Sequence, residues 1–221
     1  PRVTNTNELV YIGGYPIGLK LYADGVVIVG TEAVDTENGN VNTAEKAGLK
    51  IGDVIKRING KTVKMNTEVS QAVESSNGEV LTFTVERNGE TFAVSFETAY
   101  SVSEGKYKAG LWIRDSSAGI GTVTFATQDG YFASLGHAVC DIDTKTCIPI
   151  SSGECTIANI TGFIKGVQGS AGELCGYLEN ETIGKVYSNC DIGVYGEFDS
   201  IPQGQLYPIA NENEITQGKA T

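Results

Sequence analysis

Residues 47–60 read "AGLKIGDVIKRING", and this stretch decides the fold of the N-terminal half. Just before it, Asn42 or Thr43 can cap one helical turn, Ala44 and Ala47 share a face, and Gly48 ends the turn. From Val54 the residues alternate apolar and polar into Asn59-Gly60, a pair that favours a tight hairpin turn. Working outward, "GVVIVG" (Gly25 to Gly30) predicts a short buried strand bounded by glycines. Downstream, "NTEVSQAVESSNG" carries Val69, Ala72 and Val73 at helical spacing, and Asn77-Gly78 stops that helix. A last pair of runs, "EVLTFTVER" and "ETFAVSFET", alternates about Asn88-Gly89. The order is strands, short helix, strands, longer helix, strands, a small α+β unit expected over residues 7–100.

From about Tyr107 the habit changes. Short β-prone runs recur ("GLWIR", "GIGTVTFAT", "YFASLGHAV", "CTIANITGFIKG", "GYLEN", "IGKVYS", "IGVYGEF"), separated by glycine-rich turns and without an amphipathic helix. This pattern predicts an antiparallel barrel or sandwich over residues 107–221 and makes the chain mainly β.

Composition narrows the function. A net charge of −11 over 221 residues, with scattered lysines and arginines, offers no basic stripe for nucleic acid and no polybasic membrane patch. No apolar run reaches the roughly 20 residues that cross a bilayer. The abrupt start at Pro1-Arg2-Val3 suggests a processed or trimmed N-terminus. All five cysteines (Cys140, Cys147, Cys155, Cys175, Cys190) fall in the second half, and an odd number leaves at least one thiol unpaired. His137, Cys140, Cys147 and Cys155 lie close in sequence, but their spacing matches no tight zinc pattern, and small buried thiols are the expected reading. Neither metal nor cofactor is called for.

The stretch at 47–60 looks like the signature of PDZ domains, in which a short helix leads through Gly-Asp into a strand ending Asn-Gly. By that resemblance "GGYPIGLKL" (Gly13 to Leu21) takes the place of the carboxylate-binding loop. Successive N–H groups of a glycine-rich turn make an anion nest for a peptide C-terminus, and the following strand can pair with the peptide. The expected peptide-binding residues are therefore Tyr15, Pro16, Ile17, Gly18, Leu19 and Leu21, with Val69 and Val73 of the longer helix as an apolar floor. The plainer alternative is that these glycines only turn the chain.

The chain holds one histidine, His137, in "GYFASLGHAVCDID". A histidine following a β-run at Leu-Gly-His is where the general base sits in chymotrypsin-like barrels. Nucleophile candidates are Ser116-Ser117, Ser151-Ser152 and Ser170. Of these only Ser170, flanked by Gly169 and Ala171-Gly172, suggests a loop with oxyanion-binding N–H groups. Asp141, Asp143 and Asp191 are candidate orienters, and Cys140 an alternative nucleophile. No constellation is complete.

The runs "GKYKAGLWIRDSSAGIGTVTF", "YFASLGHAVCDIDTK" and "ETIGKVYSNCDIGVYGEF", preceded by a PDZ-like domain, resemble the stage IV sporulation protein B (SpoIVB) peptidase family. That resemblance implies a partial chymotrypsin-like antiparallel β-barrel with His137 as the catalytic histidine and a regulatory PDZ domain. It also implies a self-cleaving serine endopeptidase located between the mother-cell and forespore membranes. Its further partner would be a regulator of an intramembrane protease that activates a sporulation sigma factor. The family's Gly-x-Ser-Gly-Ser-Pro type loop and its aspartate are not found here. They are expected downstream of Thr221 or on a separate C-terminal fragment, which makes this chain an incomplete or inactive portion. The alternative is a non-catalytic peptide-binding protein with the same two folds.

Overall fold

The structure is a computed structural model and describes residues 8–141, 147–210, Glu214 and Gly218. Residue 7, Asp143 and the rest of 142–146 lie outside the described residues. Among the described residues there are sixteen strands and two short helices, both helices in the N-terminal half of the chain, so the architecture is mainly β as expected. The chain divides into two compact units, and each contains segments distant in sequence.

One unit comprises Leu21–Ser117 with Val139–Ser152 and holds the PDZ region. Helix α1 (Thr43–Lys46) is capped by Asn42, whose Oδ1 accepts from the Glu45 N–H at 3.0 Å. Strand β5 (Val54–Ile58) turns at Asn59-Gly60, with φ of 48° and 80°, into β6 (Lys61–Thr62). Both residues lie in the left-handed region, which asparagine and glycine reach at low cost. Strands β7 (Val80–Arg87) and β8 (Glu90–Glu97) form a full hairpin with Arg87 opposite Glu90 across Asn88-Gly89. Helix α2 (Asn66–Glu74) buries Val69 and Val73. Its first turn is held by two carboxylates. Glu68 accepts from the Lys64 and Met65 N–H groups, and Asp115 accepts from the Asn66 N–H at 2.8 Å. The core gathers Val26, Ile28, Leu49, Ile55, Phe83 and Val85 around those two helical valines.

The other unit comprises residues 1–20, Ala118–Ala138 and 153–221. Its strands are drawn from β2 (Pro16–Thr31), β11 (Leu111–Thr127), β12 (Tyr131–Ser134), β13 (Ile150–Ile164), β14 (Glu173–Cys190) and β15 (Gly193–Phe198). They pair in the order β11, β12, β15, β14, β13, β2, with β2 pairing back to β11, a partial ring of antiparallel strands. Strand β1 (Leu9–Ile12) adds to the outer part of β11 and pairs in turn with β16 (Leu206–Pro208). Ile17, Leu19, Val123, Phe132, Cys155, Val186 and Val194 are buried within this unit. Phe132 stacks on Phe198 at 4.4 Å.

One expectation changes. The strands are far longer than glycine punctuation suggested: "GVVIVG" is the end of a 16-residue strand, and "GLWIR" and "GIGTVTFAT" are one strand of 17 residues. The compact units follow contacts and not sequence order alone. The start of β2 joins the ring of strands, while Leu111–Ser117 joins the PDZ region.

Candidate functional site

His137 follows β12 through a tight turn. Leu135 sits at φ 66°, a left-handed conformation that costs a leucine about 1–2 kcal/mol. Three hydrogen bonds hold it there. The Leu135 N–H and the Ser134 hydroxyl both donate to the Thr122 carbonyl, at 2.9 and 2.8 Å, and the Thr124 hydroxyl donates to the Leu135 carbonyl at 3.0 Å. The turn projects His137 from a buried strand into solvent, where its side chain is exposed. Its Nδ1 lies 2.8 Å from the Ala138 carbonyl. A carbonyl can only accept, so Nδ1 is the donor in this contact, and in the neutral ring Nε2 is then the acceptor. That is the tautomer a general base needs, fixed here by a backbone oxygen.

The serines expected as candidates are placed differently. Ser170 closes a hairpin tip with Val167. Each donates its N–H to the other's carbonyl, at 3.0 and 2.9 Å, so the Ser170 amide is not available to an oxyanion. Ser116-Ser117 lie in β11 and Ser151-Ser152 in β13. Asp191 is an exposed turn residue between β14 and β15. Asp141 is buried, with its Oδ2 3.1 Å from Arg114 Nη1. Cys140 is exposed, whereas Cys155 is fully buried and its thiol is pushed up to about 12 by burial, with a smaller push from the Asp199 charge. Among the described residues no cluster of three metal-ligating side chains exists, and no helix is long and apolar enough to cross a membrane.

A cleft of about 100 Å³ opens beside α2 in the PDZ region, lined by Val69, Val73, Tyr107, Gly110, Leu111 and Ile113. Small-molecule sites run to about 300–1,000 Å³, so this cleft suits a single side chain better than a cofactor. Gly110 has φ 68°, and a Cβ there would stand 2.4 Å from the Glu32 carbonyl oxygen. At the cleft's rim Lys108 bonds Glu104 at 2.6 Å and Glu32 at 3.1 Å. The Glu104 bond does most to raise the Lys108 pKa, and Lys108 in turn lowers that of Glu104.

Val69 and Val73 thus line an apolar cleft, but Tyr15, Pro16, Ile17, Gly18, Leu19 and Leu21 do not. The Gly13 and Gly14 N–H groups, expected to form an anion nest, donate to the Thr124 and Val123 carbonyls at 3.0 and 2.7 Å. Ile17, Leu19 and Leu21 are buried, and Gly18 faces Thr156 and Leu178 at a distance that excludes even a Cβ. The groove is lined instead by residues of Ala109–Ile113, a segment the sequence pattern had not marked as part of it. Its signal was present: a glycine followed by apolar residues at alternate positions, Leu111 and Ile113.

Residues 105–221 match the family model described as SpoIVB peptidase S55. The chain belongs to that family. Residues 43–87 match the PDZ domain model, so this SpoIVB-family peptidase carries its PDZ domain ahead of the peptidase region. Among solved structures, the PDZ domain of an SdrC-like protein from Listeria monocytogenes is 16% identical, with a TM-score of 0.33. That match covers 41% of this chain and 87% of the other. Family membership makes the SpoIVB-family chain a serine peptidase by descent.

Proposed function

We propose that this chain supplies the general base and the regulatory peptide site of a self-cleaving sporulation serine endopeptidase. The observation that carries this reading is the exposed His137 imidazole, with Nδ1 tied to the Ala138 carbonyl and Nε2 left to accept a proton. In the reaction Nε2 takes the proton of a serine hydroxyl as it attacks the scissile carbonyl, and returns it to the leaving amine. The serine and the aspartate that orients the imidazole are those of the family's catalytic loop. The substrates are the protein itself and a regulator of an intramembrane protease that activates a sigma factor, in the space between mother-cell and forespore membranes.

The PDZ cleft is the regulatory site. A peptide's terminal side chain enters between Val69, Val73, Leu111 and Ile113, and its carboxylate meets the turn at Ala109–Leu111. This reading puts the carboxylate loop here in place of Gly13–Leu21.

Self-cleavage of the full-length protein tests the catalytic part. His137→Ala should abolish it, and a serine-directed phosphonate should inhibit the parent. Cleavage that continues unchanged in His137→Ala overturns the assignment and leaves the non-catalytic peptide-binding alternative. Titration with a free-carboxylate peptide and its C-terminal amide tests the regulatory part: amide resonances of Gly110 and Leu111 should move only with the former.

A further inference from the structure

Cys140 and Cys147 stand opposite each other in an isolated antiparallel bridge. The Ile148 N–H donates to the Val139 carbonyl at 3.3 Å, so the ladder bond joins the flanking residues and not the cysteines themselves. That makes them a non-hydrogen-bonded pair, the narrow kind, with Cα atoms about 4.5 Å apart. Disulfides span about 4.4–6.8 Å between Cα atoms, so the backbone is already set for a bond.

The other cysteines are placed otherwise. Cys155 is fully buried on β13 and faces Gly184. Cys175 faces Gly162, and Cys190 faces Gly193. Cys140 and Cys147 alone are both exposed and in register with each other. Their bridge also carries Asp141, whose ion pair with Arg114 lines a small pocket together with Cys147 and Ile148. Along the chain, Cys140 is three residues past His137.

We propose that Cys140 and Cys147 form a reversible dithiol–disulfide pair that acts as a redox clasp on the segment following His137. One thiolate attacks a low-molecular-weight disulfide, forming a mixed disulfide and expelling one small thiolate. The second cysteine thiolate then attacks the protein sulfur of that mixed disulfide and expels the other. The protein loses two electrons and two protons, the small disulfide gains both, and two small thiols leave. The reverse exchange opens the clasp. Oxidation would pin the bridge that bears Asp141 and restrain the backbone leading back to the imidazole.

The whole chain is equilibrated in buffers of varied oxidised-to-reduced glutathione ratio, quenched in acid, alkylated and digested with trypsin without reductant. Trypsin cuts after Lys145, between the two cysteines, so residues 115–145 and 146–165 remain together only if a disulfide joins them. The expected result is a linked pair that grows with the oxidised fraction and is assigned to Cys140 and Cys147 by fragmentation. It should disappear in Cys140→Ser and in Cys147→Ser. The single histidine gives one imidazole Hε1 resonance, which should shift between the oxidised and reduced forms. Peptides that separate at every ratio, or a link to Cys155, Cys175 or Cys190 instead, overturn the proposal. A link that forms without moving the imidazole resonance overturns the coupling to His137.

Discussion

Replacing Arg87 by methionine should cost about 3 kcal/mol of stability in the PDZ region, and the figure follows from what surrounds Asp53. The Asp53 side chain is fully buried. Arg87 grips it through Nε at 2.5 Å and Nη2 at 2.7 Å, while the Lys50 N–H supplies a third bond at 2.9 Å. Arg87→Met leaves a buried carboxylate with one donor. Breaking a buried pair by removing one partner costs about 3–5 kcal/mol. The Arg87 side chain is 27% exposed, so water reaches the vacated place and the lower end applies. Loss of the guanidinium packed 4.9 Å from the Phe92 ring adds roughly 0.5–1 kcal/mol, partly returned by methionine's own packing. Because the chain has two compact units, native-state hydrogen exchange at Phe83 and Val85 is the suitable assay, with protection expected to fall roughly 100-fold. Adding Asp53→Asn removes the orphaned charge and should recover about half of the loss. As a control, the more exposed Lys56 pair with Asp24 should be worth under about 1 kcal/mol. A loss below about 1 kcal/mol in Arg87→Met, or a double variant no better than the single, refutes the argument that Asp53 depends on this partner.

Two further changes test other parts of the molecule. The Ser101 hydroxyl and the Ser103 N–H hold the Asp35 carboxyl at about 2, down from an ordinary 3.8. Asp35 therefore adds stability above about pH 4 that is lost as pH falls towards about 2; in Ser101→Ala its carboxyl carbon resonance should titrate at a higher pH. Gly110→Ala places a Cβ 2.4 Å from the Glu32 oxygen at φ 68°, and should cost about 1–2 kcal/mol and weaken peptide binding roughly tenfold. Gly119→Ala, which meets nothing within 4 Å, should leave the same peptide titration unchanged.

What the sequence revealed and what it hid divide along the range of the interactions involved. The two Asn-Gly hairpins, the Asn42 cap and the inward valines of α2 are set by neighbours a few residues away, so a local reading found them. Gly13-Gly14 looked like an anion nest for the same local reasons. The carbonyls that take those N–H groups belong to Val123 and Thr124, more than a hundred residues on, and nothing near the glycines announces them. The strand lengths were hidden by a related ambiguity. A glycine marks a turn when its φ is positive, but it marks close approach when a neighbour leaves no room for a Cβ. Gly176 is the second kind: the run "GYLEN" was started there, yet it lies inside the 18-residue β14, and a Cβ would fall 2.1 Å from the Asn159 carbonyl oxygen. Read as punctuation, such glycines cut one long strand into several short ones. The histidine site shows both sides at once. Leu-Gly-His singled out the imidazole from sequence, yet the Ala138 carbonyl bonded to its Nδ1 was invisible, because any residue at that position carries the same oxygen. Side-chain identity at 138 should therefore matter little to the tautomer, whereas the turn geometry set by Thr122, Thr124 and Leu135 should matter a great deal.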